Sequence, residues 1–234
     1  MTTRNRGLRM ADRKGGRIRR WLVRLVLAGV GLSLLLVLPL RWLDPPTSAF
    51  MLRDRLGGVE VEQEWADWSA LGSALPIAVV ASEDQKFPHH RGFDLDQIRE
   101  AVDGGAGRGA STISQQVAKN LYLWPGRSWV RKGIEAWLTV LIEATWSKRR
   151  ILEVYLNIAE FGPGLYGAWA ASERYYGRPP DLISMSEAAR LVTVLPSPSR
   201  IDPTGGSPYV AERAGWIAAQ VEQLGGPAYL AEFN

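Results

Sequence analysis

Twenty residues from Trp21 to Leu40 are almost wholly apolar, interrupted only by Arg24, two glycines and Ser33. As a helix, such a stretch spans about 30 Å, the thickness of a bilayer's hydrocarbon core. It carries apolar residues all round rather than on one face, which argues against a helix lying on a soluble core. Before it stand eight Arg or Lys residues against the single acid Asp12. Arg24 lies near that basic end, where its long side chain can reach the interface. Trp21 and Trp42 sit at the two edges, as interfacial aromatics do. The positive-inside rule then assigns residues 1–20 to the cytoplasm and everything after Arg41 to the far side. A cleaved signal peptide shares this layout, but the span is long for one and no small-x-small site closely follows Leu40.

A basic tail read alone would suggest nucleic acid; the span that follows decides against it. There are no cysteines, so disulfides and thiolate metal sites are excluded. The hydrophobic fraction of 46% supports a folded core beyond the anchor. Asp44-Pro45-Pro46-Thr47 breaks the helix, and residues 50–70 read as either helix or extended chain. From Leu75 onward the periodicity is helical. Helices are expected up to Glu83, from a capping box at Thr112 and Gln115 to about Leu123, over Ser128–Trp146, and over Lys148–Glu160. Further ones are expected over Leu165–Tyr176, after a cap at Ser184 and Glu187, and over Pro208–Leu224. The domain reads as mainly α, with few strand-like runs.

Three polar clusters stand out. The first begins at Glu83-Asp84, where an apolar helix ends. The dipole there disfavours negative charge, a setting suited to a base that works near neutral pH; an exposed Glu before a solvated turn fits the segment equally well. In the second, Gln115, Gln116, Lys119 and Asn120 fall within little more than a turn and could present donors to an anionic ligand; a capped surface helix is the plainer reading. In the third, Arg131 and Lys132 stand four and three residues before Glu135, giving either a solvated ion-pair face or a carboxylate held among cations. His89 and His90 are adjacent with no third ligand at a suitable spacing, so a structural role for His90 is preferred over a metal site. The glycines of 104–109 mimic a phosphate loop, but Ala110 replaces the required lysine and no strand precedes them.

Together these clusters resemble the peptidoglycan glycosyltransferases of glycosyltransferase family 51. The family's first motif matches Glu83 to Gly92, its second Gly109 to Asn120, its third Arg131 to Glu135 and its fourth Lys148 to Asn157. A last motif matches Ser186-Glu187-Ala188-Ala189 through Leu195-Pro196-Ser197-Pro198. Five motifs in order, over roughly Leu75 to Pro203, make the likeness specific where any one would be weak. No Ser-x-x-Lys motif follows, so the chain resembles members that lack a transpeptidase domain.

The resemblance implies a lysozyme-like, mainly α glycosyltransferase domain over 71–234, after a basic tail (1–20), a transmembrane helix (21–43) and a linker or membrane-proximal segment (44–70). It implies polymerisation of lipid II into glycan strands outside the cytoplasmic membrane. Glu83 would be the general base, Glu135 the second catalytic carboxylate, and Lys119 and Arg127 the diphosphate-binding cations. Asp84, Gln116, Arg131 and Lys148 would support them. The sequence demands no cofactor; a divalent cation (Mg or Mn) organised by Glu135 is an option. Partners would be lipid II, the nascent strand, the membrane, and wall-synthesis and division proteins, with no nucleic acid. Phe50, Met51 and Leu52 are expected near the membrane surface. The rivals are a lysozyme-like lytic enzyme and an inactive membrane scaffold.

Overall fold

The computed structural model describes residues 4–103, 111–126 and 128–233. The glycine-rich stretch 104–109 and Arg127 lie outside the described residues.

The chain is mainly α. Helix α1 (Arg4–Val37) contains the apolar stretch, and a window over Arg19–Arg41 is long and apolar enough to cross a membrane. The helix ends before Asp44: Pro39 opens a short 3₁₀ turn over Pro39–Arg41, because proline lacks the N–H needed to continue the α ladder. Residues 44–70 are not extended slack. They hold α2 (Ala49–Leu56), capped by the Ser48 hydroxyl accepting from Met51 N–H at 3.1 Å, and strand β1 (Glu62–Gln63). Met51 is in the core, contrary to a place at the membrane surface; only Leu52 of the Phe50–Leu52 trio is well exposed.

Helix α3 (Ala74–Glu83) is buried from Leu75 through Ala81 and lies against α9 (Met185–Val192) and α10 (Pro208–Gln223). A helix apolar on every side belongs at the centre of a core, and this one delivers Glu83 at its end. α4 (Leu95–Asp103) follows. α5 (Ile113–Tyr122) packs against α6 (Trp129–Thr145) and α7 (Lys148–Ile158). Capping explains their starts: Thr112 and Gln115 form the expected capping box, and Ser128 and Ser147 accept from the N–H groups of Arg131 and Arg150.

The expected helix from Leu165 starts later. Strands β2 (Glu160–Gly162) and β3 (Leu165–Tyr166) form a hairpin, and β1 pairs parallel to β3, giving the order β1-β3-β2. Glu62 faces Leu165, and Glu160 faces Tyr166. The hairpin turns at Gly164, with φ of 72°, where a Cβ would meet the Glu60 carbonyl oxygen at 2.2 Å. α8 (Ala168–Tyr176) begins only after it. For the same reason α7 stops at Ile158, short of the expected Glu160.

Helix α1 is joined firmly to the rest. Trp137 Nε1 donates to Ser33 Oγ at 3.1 Å, Trp146 Nε1 to the Val37 carbonyl at 3.0 Å, and Tyr122 Oη to the Leu36 carbonyl at 3.2 Å. Arg150 donates to the Leu40 and Leu43 carbonyls at 3.0 and 2.8 Å and pairs with Asp44 and Glu153. The outer face of α6 exposes Trp129 (93%), Val130, Trp137 and Val140 on the helix that meets α1. A patch of this kind marks a membrane or interaction surface.

Candidate active site

Glu83 occupies the last turn of α3, half-buried. Gln116 on α5 donates from Nε2 to Glu83 Oε2 at 3.0 Å, and Tyr155 on α7 donates from Oη to Gln116 Oε1 at 3.2 Å. Burial pushes the Tyr155 phenol well up, aided by the Glu83 and Asp84 charges, so it stays a donor. Glu83 is thus oriented by neutral groups. Among the described residues it forms no ion pair.

Asp84 performs a different task. It is 2% exposed, and its carboxylate accepts from Ile113 N–H at 2.9 Å and faces His90 Nε2 at 2.9 Å. Gly92 N–H donates to His90 Nδ1 at 3.0 Å, which places the ring proton on Nε2, pointing to Asp84. A carboxylate at the first N–H of α5 satisfies an orphan donor and suits the positive end of the helix. His90 is therefore structural, and Asp84 locks the Glu83 turn to the helix that carries Gln116 and Lys119. Gly92, at φ 86°, lets the loop press on α6, where a Cβ would stand 2.7 Å from Thr139 Cγ2.

The C-terminal segment buttresses this loop. Tyr229 Oη donates to the Gln85 carbonyl at 2.8 Å, and Phe233 meets Phe87 edge-on at 6.0 Å.

Glu135, 2% exposed, is bound by Arg131 at 2.6 Å and by Lys132. The solvated-face reading of that cluster is therefore set aside: the pair is inside. Lys119 stands between the two carboxylates electrostatically. Burial pushes its ammonium below the usual lysine range; Arg131 and Lys132 push the same way, and Glu135 and Glu83 oppose them. Its Nζ lies 5.7 Å from the Phe50 ring centroid, and Arg53 lies 5.1 Å from the same ring. Lys119 has no salt bridge among the described residues.

Lys148 is arranged otherwise. It pairs with Glu143 at 2.7 Å and lies 4.5 Å over the Phe87 ring. Ser114 donates to the same Glu143 oxygen in a short contact. Glu143 and Tyr155 were given no role from sequence, and Phe50 was expected at the membrane surface rather than against Lys119. Glu143 carried a signal: Glu135, Thr139 and Glu143 recur every four residues and so share one face of α6.

Much of the fourth motif is architectural. Asn157 exchanges hydrogen bonds with Ala66, accepting at 2.7 Å and donating at 2.9 Å, and Glu153 accepts from Trp68 N–H at 2.8 Å. Of the sequence-assigned residues, Glu83 and Gln116 are hydrogen-bonded to each other, Asp84 next to them binds His90 and Ile113 N–H, Arg131 pairs with Glu135, and Lys148 joins Glu143.

Comparison with known proteins gives a concordant result. The family model described as Transglycosylase matches residues 52–222. A biosynthetic peptidoglycan transglycosylase of Xanthomonas axonopodis pv. citri (strain 306) is 52% identical over 229 residues, covering 93% of each chain. The protein of that name from Pseudomonas putida (strain W619) is 49% identical over 212 residues, 86% of this chain and 90% of its own.

Proposed function

The chain belongs to the transglycosylase family, and from that membership we propose that it polymerises lipid II into peptidoglycan glycan strands with inversion at the anomeric carbon. The growing glycan on its polyprenyl diphosphate is the donor, and lipid II is the acceptor. Glu83 takes the proton of the acceptor's 4-hydroxyl. The freed oxygen bonds to the donor's anomeric carbon, and the bond to the diphosphate breaks, its electron pair leaving with the diphosphate. Two carboxylates with divided roles follow the logic of inverting glycoside chemistry.

The observation that carries this reading is the contrast between the carboxylates. Glu83 is held by an amide, which leaves it able to accept a proton. Glu135 is neutralised by two cations, and the ring-held Lys119 beside it has charge to offer a departing diphosphate. Arg127 is proposed to add to that charge. Asp84 and Gln116 position the base; Arg131 positions Glu135; Lys148 is a substrate contact on the Glu83 side.

A protein-held divalent cation suits these residues poorly. Both Glu135 oxygens are taken by Arg131 and Lys132, and no cluster of three or more His, Asp or Glu that could hold a metal occurs among the described residues.

The anchor is proposed to cross the cytoplasmic membrane once, with the catalytic domain outside, beside its lipid-linked substrate; wall-synthesis and division proteins are the proposed partners. The test is purified protein on lipid II and on preformed peptidoglycan. Polymer from lipid II, lost in Glu83→Gln, is the expected result. Breakdown of preformed polymer without lipid II consumption would establish a lytic enzyme instead. Polymerisation that survives Glu83→Gln would remove Glu83 as the base.

A further inference from the structure

Glu83 has two carboxylate oxygens, and Gln116 holds only Oε2. Oε1 is met by Ser82, whose Oγ donates to it at 3.4 Å. The same Oγ accepts from Arg213 Nη2 at 3.3 Å, across the seam between α3 and α10. A guanidinium has donors and no acceptor, so Ser82 can only accept from Arg213, and its single hydroxyl proton is left for Glu83. The two oxygens are therefore served alike. Gln116 holds one and is itself set by Tyr155; Ser82 holds the other and is itself set by Arg213. A carboxylate has about four lone-pair sites, so an oxygen held in this way keeps one free to receive a proton.

Arg213 is in turn fixed on its own helix. Its guanidinium lies 4.0 Å from the Trp216 ring centroid, one turn on along α10, and among the described residues it forms no salt bridge. Its charge is thus not taken up by a carboxylate, and it reaches Glu83 through one hydroxyl. Two turns beyond Arg213, Gln220 accepts from Gln85 Nε2 at 2.9 Å. Residues seven apart share a helix face, so one face of α10 grips the residues on either side of the Glu83-Asp84 pair.

We propose that Arg213 is a positioning residue for Glu83, acting through Ser82 to orient Oε1 and to keep the carboxylate ionised. The proposal rests on Glu83 being the base. Glu83 ends α3, where the helix dipole disfavours negative charge; a cation one hydroxyl away opposes that effect. The other charged or titratable groups facing Glu83 are Asp84 beside it, Lys119 from α5 and Tyr155 from α7. From the C-terminal segment, Tyr229 faces Asp84. On α9, Glu187 pairs with Arg178 and Arg190 faces Tyr176, so both charges are engaged elsewhere.

The test is a double-mutant cycle on the full-length chain, with lipid II in liposomes near neutral pH. Arg213→Met keeps the stem against Trp216 and removes the charge; Ser82→Ala removes the link. Each should lower kcat roughly tenfold, the effect of losing one hydrogen bond to a charged group, with KM little changed. Because the two residues act in series, the double variant should be no worse than the poorer single one. Losses that multiply, to about a hundredfold in the double variant, would overturn the proposal. Ser82→Thr keeps the hydroxyl and should retain most of the wild-type rate; a loss as large as that of Ser82→Ala would overturn it too. Without the cation Glu83 gives up its proton less readily. The acid limb of kcat against pH should therefore move to higher pH in Arg213→Met, and the loss should shrink as pH rises. A loss equal at every pH, with a lower melting temperature, would mean that Arg213 only holds α10 to α3. A second measurement does not depend on catalysis. Carbon-13 NMR of glutamate-labelled protein in micelles reads the Glu83 carboxyl as the signal missing from Glu83→Gln. Its titration midpoint should rise in Arg213→Met, and an unmoved midpoint would overturn the relay even where activity falls. A raised midpoint, with turnover indifferent to Glu83→Gln, would leave the relay standing and remove Glu83 as the base.

Discussion

Lys119 and Lys148 are both half-buried cations near carboxylates, and the protein holds them by opposite means. Lys148 spends its charge on Glu143, whereas Lys119 rests against the face of Phe50 and keeps its charge for a ligand. Replacing that ring with Phe50→Leu should weaken binding of a diphosphate substrate by about 1 kcal/mol, seen as a higher KM with kcat little changed; Phe50→Tyr should restore it. Because burial lowers the Lys119 pKa, its proton is lost at a lower pH than for an exposed lysine. In its proposed role, Lys119 should bind the diphosphate fully on the acid side of that pKa and lose it as pH rises through it. KM measured against pH should climb on the alkaline limb below the free lysine value of about 10.4, and Lys119→Arg should move that limb upward. A limb unmoved by the arginine would assign it to another group. Glu135→Gln removes one partner from a buried pair and leaves the Arg131 charge uncompensated. Severe loss of activity should come with a lower melting temperature, since such a change costs about 3–5 kcal/mol.

α5 is the element on which the site turns, because it carries Gln116 and Lys119 and is pinned at its first residues. Thr112 caps it, closes a capping box with Gln115, and donates to the Gly92 carbonyl at 2.7 Å. Thr112→Ala should cost about 1 kcal/mol from the cap alone. The lost bond to the loop should add to this in thermal denaturation, with a fall in kcat as Gln116 loses its hold on Glu83. Helix starts of this kind were legible in the sequence, since Thr112, Ser128, Ser147 and Ser184 combine a capping side chain with a following amphipathic run. The inward face of α6 was not. Spacing alone puts Ile134, Leu138, Leu141 and Thr145 on one apolar stripe, yet Glu135 is buried and Ile134 is exposed. A neutralised ion pair inside and an exposed isoleucine outside invert the hydropathy rule at that helix. The strands were illegible for a simpler reason: two or three residues cannot display an alternation. Glu83 and its loop could be singled out from the ordered motifs. Their supports, Tyr155 from α7 and Tyr229 from the C-terminal segment, come together only on folding.

On the scale of the molecule, the anchor and the catalytic body are one unit, and Arg150 is the clamp. Its guanidinium meets two carbonyls at the end of the anchor and stacks 5.3 Å from Trp65. Arg150→Ala should leave turnover in detergent near the wild-type level while lowering it in liposomes, where the height of the site above the bilayer counts. Equal losses in both would point to simple destabilisation of α7. A catalytic body on a slack tether could swing freely over the membrane, and its bearing would bear no relation to the strand it makes. Joined through Arg150, Trp137 and Trp146, it can rotate only with its anchor. On the proposed function the emerging strand becomes a lever on a keel: each added sugar would push against a body that could recoil only by drifting or turning in the plane of the bilayer, so elongation and lateral motion of the enzyme would be mechanically one process.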